Sequence, residues 1–218
     1  MISILMPIYN GIEFINESVK SVLNQTYKDW ELIIGINGHP ENSDVFKIAK
    51  QFETCDKIKV YDLIGIKGKS NALNKMLEYC KYDWICLLDV DDFWIDQKLE
   101  YQIPSMQNNY DIIGSPCFYF GDKQGISPIP VGDITDFDFF SVNPVINSSC
   151  LVKKELCYWD SQHDGVEDYD LWLKLRKQNK KFYNVKDILT MHRIHKDSAF
   201  NSNKSTQFLV NIIKNRYK

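Results

Sequence analysis

The chain has 218 residues with 44% hydrophobic and 25% charged side chains, an ordinary globular balance that suits one domain and rules out a disordered or collagen-like chain. A net charge of -3 excludes a basic footprint for nucleic acid. No apolar stretch approaches the ~20 residues that span a bilayer, and the start MISILMPIYN lacks the basic region of a signal peptide.

Strands and helices alternate through the first ~100 residues. Ile2 to Met6 reads as a strand that Pro7 should stop, since proline has no N–H to donate. Asn10 and Glu13 have capping-box spacing, and Ile12, Ile15, Val19, Val22 and Leu23 recur as a helix face. Trp30 to Ile36 is a second strand ending at Asn37-Gly38, followed by a helix with Val45, Ile48, Ala49 and Phe52 on one face. Ile58 to Tyr61 is a third strand, the Gly65–Lys69 segment a loop, and Ala72, Leu73, Met76, Leu77 and Cys80 a third helix face. Trp84 to Leu88 is an unbroken apolar run, the mark of a strand buried on both faces. This order predicts a parallel sheet with right-handed crossovers, a mononucleotide-binding type of half.

Asp89, Asp91 and Asp92 follow that run. Three carboxylates so close repel unless a cation or a hydrogen-bond network offsets them. Ligands of open α/β sheets bind beyond the carboxyl ends of the strands, so a divalent metal site is one reading and a solvated turn capping the next helix is the other. Gly68-Lys69-Ser70 is not a P-loop, because Leu63 stands where the motif needs glycine. Nor is Asp89–Asp92 an EF-hand, because Trp94 takes the place of the required glycine.

The second half is less regular. Asp96 to Gln107 reads as a helix that Pro104 should end or kink. Ile112-Ile113, Phe118–Phe120, Cys150–Val152, Phe182–Val185 and Ile188–Ile194 are short strands, and Pro128–Asp138 is a loop with a candidate substrate-facing role. Glu167, Asp168 and Asp170 crowd the start of a helix carrying Leu171, Trp172 and Leu175, where acids also favour the helix dipole. His192 and His195 fall on opposite faces of an extended strand, which argues against one shared ion. Leu209, Ile212 and Ile213 mark a packed terminal helix, with a membrane-surface helix as the second reading. Cys55, Cys80, Cys86, Cys117, Cys150 and Cys157 form no CxxC pair and read as free thiols of a reducing, cytoplasmic compartment. Peripheral membrane contact stays open.

At this point six motifs occur in one order. They are Met6-Pro-Ile-Tyr-Asn10, Ser18-Val to Gln25-Thr26, Gly68-Lys-Ser-Asn-Ala-Leu-Asn74, Leu88-Asp-Val-Asp-Asp92, Glu167-Asp168 before Leu171-Trp172, and Arg193-Ile-His195 with Ser198. Over about residues 1–200 the chain resembles the family 2 glycosyltransferases. The resemblance implies the GT-A fold, an α/β, Rossmann-like, mostly parallel sheet flanked by helices with a mixed-sheet acceptor-binding half. Residues 1–100 would be the nucleotide-binding half, 101–200 the acceptor half and 201–218 a terminal helix of one domain.

It further implies an inverting transfer from a nucleoside diphosphate-sugar, a UDP-sugar favoured, to a glycan or other acceptor hydroxyl. Asp168 is the expected base, supported by Glu167. Asp91, with His195, is expected to hold Mn²⁺ or Mg²⁺. Pro7, Tyr9, Asn37, Lys69, Asn74 and Asp89 are expected around the donor, and Asn147-Ser-Ser149 facing the acceptor. Asp92 is either an outer support or a helix cap, and Trp159 and Phe120 are either core or sugar-stacking residues. Two positions depart from the family pattern. Asn37 stands where an aspartate often binds the base, and Leu73 where arginine is frequent, a cation that Lys67 or Lys69 could replace. Two rivals are a nucleotidylyltransferase, disfavoured because its glycine-rich loop is missing after the first strand, and a non-catalytic nucleotide-sugar binder.

Overall fold

The computed structural model describes residues 1–196 and 204–218. Strands β1 (Ile2–Ile8), β2 (Trp30–Asn37), β3 (Ile58–Leu63) and β4 (Trp84–Leu87) alternate with helices α1 (Ile15–Leu23), α2 (Asp44–Lys50) and α3 (Lys69–Leu77). Then come β5 (Phe93–Trp94), α4 (Lys98–Gln107), β6 (Ile112–Gly114), β7 (Cys117–Gly121), β8 (Gly125–Ile126), β9 (Gly132–Asp133) and β10 (Leu151–Lys153). Helix α5 (Glu167–Lys177), β11 (Phe182–Asn184), β12 (Thr190–Ile194) and α6 (Lys204–Tyr217) complete the order.

The main sheet runs β3-β2-β1-β4-β10-β6-β11-β9. Its first four strands are parallel, as the alternation with helices predicts, and β10 then pairs antiparallel to both β4 and β6. The result is a mixed sheet. A smaller sheet, β5-β12-β7-β8, closes over the carboxyl end of β4. Side-chain alternation along β1 feeds both faces. Ile4 and Met6 join Val19, Ala49 and Leu99 of α1, α2 and α4 on one side. Leu5 joins Leu73, Trp172 and Ile213 of α3, α5 and α6 on the other.

Three local expectations need correcting. Pro7 does not stop β1, because it stays in register with Gly35 of β2. Leu5 accepts from the Leu88 N–H on the β4 side, and backbone alternation turns Pro7 to that same side. Paired residues of β1 and β4 end at Leu5↔Leu87, so the missing donor removes no bond there. Pro104 likewise lies inside α4, on its exposed side, where the carbonyl it leaves unpaired meets water. The capping box at Asn10 is absent. Gly11, at φ 84, precedes a 3₁₀ turn that has no side-chain cap.

The order 3-2-1-4 places a topological switch point between β1 and β4, where the chain leaves the sheet in opposite directions on adjacent strands. The carboxyl ends of β1, β2 and β4 open there into a cavity of about 910 Å³.

Candidate active site

The cavity is lined by the loop after β1 (Tyr9 to Gly11), the end of β2 (Asn37 and Gly38), the start of α3 (Lys67 to Lys69) and the acids after β4 (Asp89 and Asp91), with His192 and His195 opposite. Pro7 also reaches it. Tyr9 is exposed and its ring lies against Gly38, where an added Cβ would come within 2.8 Å of it. Asn37 is almost wholly buried at the cavity wall, at 3% exposure.

Lys69 opens α3, and its position depends on Gly68. That glycine has φ 84, and a Cβ there would stand 2.1 Å from Asp164 Oδ2. Asp164 in turn accepts from the Ser70 N–H at 2.9 Å, satisfying a free donor at the helix start. Lys69 Nζ then lies 2.6 Å from Asp89 Oδ1 and 3.3 Å from Glu167 Oε1. Burial works against its charge, but Asp89 and Glu167 outweigh this and raise its pKa. One lysine thus joins the acids after β4 to the acids opening α5.

The individual carboxylates differ in environment. Burial penalises charge on Asp89, yet the Lys69 ion pair and the amide of Asn147, which donates at 3.0 Å, hold its pKa below the usual range. Asp91 is pushed up by burial and by its neighbours Asp92 and Asp89. His195 Nε2 stands 3.1 Å from Asp91 Oδ2. Asp92 is 1% exposed and is no helix cap, since α4 starts only at Lys98. It accepts from the Arg193 N–H at 2.9 Å, and His192 Nδ1 lies 2.9 Å from its other oxygen. Burial disfavours the charged His192 imidazole, but Asp92 prevails and raises its pKa.

Arg193 locks this turn. Its Nε donates to the Asp91 carbonyl at 3.0 Å, its guanidinium lies between the rings of Phe14 and Phe120, and it pairs with Glu17. Phe120 therefore packs on a cation and on Phe93, while Trp159 is 1% exposed in the core. His192 and His195 do meet the same acidic turn. The strand ends at Ile194, so the parity that separates them does not extend to His195. Ser198 lies outside the described residues.

Asp168 sits at the start of α5, partly exposed at one edge and enclosed elsewhere. Burial and then the adjacent Glu167 raise its pKa to about 6, against the opposing influence of Lys69, its neighbour's N–H and the Asn143 amide. Asn143 Nδ2 donates to Asp168 Oδ2 at 3.0 Å. Glu167 accepts from the Gly165 N–H at 2.6 Å.

The model for "Glycosyl transferase family 2" matches residues 3–141. The chain belongs to that family. It is 32% identical over 224 residues to the O-antigen biosynthesis glycosyltransferase WbnJ of Escherichia coli, covering 95% of this chain and 82% of that protein. It is 31% identical over 213 residues to the UDP-Glc:alpha-D-GlcNAc-diphosphoundecaprenol beta-1,3-glucosyltransferase WfgD of Escherichia coli, covering 94% and 81%. Two solved glycosyltransferases share its GT-A fold at low identity. S. aureus TarS 1-349 with UDP-GlcNAc has a TM-score of 0.75 at 14% identity, covering 97% of this chain and 65% of that one. The mannosyltransferase PcManGT of Pyrobaculum calidifontis, with GDP-Man and Mn2+, has 0.70 at 13%, covering 91% and 58%. The chain therefore spans a little under two thirds of these two solved chains. It is a glycosyltransferase.

Within this family 2 site most of the expected residues converge. Pro7, Tyr9, Asn37, Lys69, Asp89, Asp91 and His195 line the cavity, and Lys69 ties Glu167 to it. Asn74 does not join them. Its amide donates to the Trp159 carbonyl at 2.7 Å and its carbonyl accepts from the Trp159 N–H at 3.1 Å, so both ends are consumed in fixing α3 to the segment before α5. The Pro128–Asp138 loop is also removed from the cavity, because its strand β9 forms the far edge of the sheet. In the Asn147–Ser149 turn, Asn147 and Ser148 support the backbone and carboxylate of Asp89. Asn143 is absent from the sequence reading; an asparagine in an irregular loop carries no periodic signal, and only the fold places it beside Asp168.

Proposed function

We propose that this family 2 glycosyltransferase moves a sugar from a nucleoside diphosphate-sugar to an acceptor hydroxyl with inversion, Asp168 serving as base. The observation that carries the reading is the Lys69 bridge. Lys69, on the lining of the cavity beside the topological switch point, joins the Asp89–Asp91 turn to Glu167, and Asp168 follows Glu167 just beyond that lining. The acceptor oxygen attacks the anomeric carbon as the bond from that carbon to the diphosphate breaks, and the bonding pair leaves with the diphosphate. The acceptor proton passes to Asp168, whose pKa of about 6 leaves it unprotonated near neutrality yet more basic than an ordinary carboxylate.

The residues present fit a hard divalent cation. Both carboxylate oxygens of Asp89 are engaged, by Lys69 and Asn147, which leaves Asp91 as the carboxylate with an uncompensated charge and His195 beside it. A Mn²⁺ or Mg²⁺ held there would neutralise charge developing on the diphosphate. Asp92, His192 and Arg193 keep the turn in place. Tyr9 and Asn37 face the nucleoside, and an asparagine carbonyl accepts the N–H of a pyrimidine, which favours a UDP-linked donor. UDP-GlcNAc in TarS and the UDP-Glc in WfgD's name support the same choice, and the names WbnJ and WfgD carry support a glycan acceptor.

No helix among the described residues is long and apolar enough to cross a membrane. Free cysteines, five of them buried, support a cytoplasmic setting. The test is a thermal-shift screen of UDP-, GDP-, dTDP- and CMP-sugars with and without Mn²⁺, followed by transfer assays on the donors that bind. A metal-dependent rise in Tm with a UDP-sugar is expected. A flat response to every donor would overturn the proposal.

A further inference from the structure

A second group of ligand-type side chains lies on the opposite side of the segment that carries Asp168. Asp170 is about 200° around α5 from Asp168, at 100° per residue. It turns away from the sugar-nucleotide cavity, and neither it nor its partners line that cavity. The 3₁₀ turn Ser161–His163 faces it. Asp160 caps that turn with one oxygen, which accepts from the Gln162 N–H at 3.0 Å, and keeps Oδ2 free for other partners. His163 Nδ1 lies 3.1 Å from Asp170 Oδ1 and 3.9 Å from Asp160 Oδ2. All three ligand atoms fall within 4.8 Å of one another.

The environment is unusual for a plain ion pair. His163 is 5% exposed and Asp170 3%, and Asp170 Oδ1 is buried with no hydrogen bond. A buried carboxylate oxygen without a donor is costly. The cation nearest to it is Arg216 near the end of α6. Its Nη1 sits 3.0 Å from Asp160 Oδ2 and 3.4 Å from His163 Nδ1, but 3.9 Å from Asp170 Oδ1. The Tyr217 hydroxyl also bonds Asp170. Arg216 is half-exposed, a surface arm with its tip in a buried anionic notch. Two carboxylates and one guanidinium leave one uncompensated negative charge when His163 is neutral; a divalent cation in place of the guanidinium would leave none.

We propose that Asp160, His163 and Asp170 form a second cation site, for Zn²⁺ or a similar late first-row divalent ion, which Arg216 occupies when the metal is absent. Tetrahedral ligands at ~2.0 Å from zinc lie about 3.3 Å apart, so the 3.1 Å pair already fits, the 3.9 Å pair must close by about 0.6 Å, and the two carboxylate oxygens, within 4.8 Å of each other, must close by at most about 1.5 Å. One imidazole and two carboxylates suit zinc. Mg²⁺ demands near-octahedral geometry and keeps its waters, so the open cavity at Asp91 suits it better than this buried notch. The two sites would thus sort two metals within one chain. Metal at the second site displaces Arg216 and releases the last turn of α6, while Ile213, fully buried, keeps the helix seated on α5.

The test uses Co²⁺ as a visible probe, in the full chain carrying Asp91→Ala to silence the other site and with excess Mg²⁺ present. One equivalent of Co²⁺ should give the intense d–d bands of four- or five-coordinate cobalt, and Zn²⁺ should remove them. His163→Gln, checked for folding by circular dichroism, should abolish the bands. Arg216→Ala changes only an exposed arm, so it tests competition without threatening the core; it should tighten Co²⁺ binding about tenfold. Absence of the bands in both the parent and Arg216→Ala, their persistence in folded His163→Gln, or unchanged affinity in Arg216→Ala would each overturn the proposal.

Discussion

The acidic turn after β4 and the acidic pair opening α5 have similar composition, and each sets one carboxylate against Lys69 and another farther from it. In the turn, Asp89 is held charged by Lys69, while Asp91 is left short of a cation. On the helix, Glu167 shares that same lysine, and Asp168, one residue further on, has a pKa raised to about 6. The difference teaches that carboxylate count does not set the role of either cluster. The position of the single ammonium does: Asp89, in contact with it, is held charged, while on Asp91 and Asp168, farther from it, burial and neighbouring acids prevail.

The sharpest way to break this contrast is to remove the raised acid. Asp168→Asn keeps the shape and the Lys69 bridge, so donor binding in a thermal-shift assay should stay near wild type. Transfer should fall by about 10²–10⁴, the usual contribution of a positioned base. Full turnover in this variant would remove Asp168 from the reaction. Asp91→Ala attacks the other cluster. It should abolish the dependence of donor binding on Mn²⁺ and cost about 10²–10³ in kcat/KM, as expected for several kcal/mol of charge stabilisation lost. Retained metal dependence would move the cation elsewhere.

Lys69→Met tests the link itself. Without the ammonium, Asp89 loses its main compensation and Asp168 loses a group that holds its pKa down. A base must be unprotonated to act, so wild-type kcat/KM should rise with pH through about 6 and then level. In Lys69→Met that acid limb should move to higher pH, with about a twofold loss at neutrality for one unit of movement and about tenfold for two. A pH profile superimposable on wild type would show that the lysine does not govern the base.

How much of this was legible in the sequence follows the same division. Apolar runs such as Ile2–Ile8 and Trp84–Leu87 fix strands by their composition, and the helix faces between them by period. The place of Asp89 and Asp91 beyond a strand's carboxyl end follows from that alternation, whereas the 3-2-1-4 order that makes a switch point there emerges only in the structure. The second half escapes such reading because β6, β10 and β11 are three residues each, too short for periodicity. Its order in the sheet is set by long-range pairing. Family resemblance named Asp168 and Lys69, but it also named Asn74, whose amide the fold consumes on Trp159. Neither route reaches side-chain partners such as Asn147 on Asp89, because both lie in loops that only the closed structure brings together.

The smallest expected effect belongs to such a partner. Asn143 donates one hydrogen bond to Asp168 Oδ2 from a loop that follows Phe139 and Phe140. A donor to the charged form favours ionisation, so its loss should raise the Asp168 pKa above about 6. A hydrogen bond to a charged group is worth about 1.5–3 kcal/mol and one to a neutral group about 1, so the difference corresponds to a shift of about one unit. Asn143→Ala should therefore move the acid limb of kcat/KM slightly upward and lower the rate a few-fold at pH 6, with little loss at pH 8, where Asp168 is unprotonated either way. That convergence at high pH separates an electrostatic role from a positioning one. If Asn143 instead aims the carboxylate at the acceptor, its loss would persist at every pH, and the contrast between the two acidic clusters would rest on geometry as much as on charge.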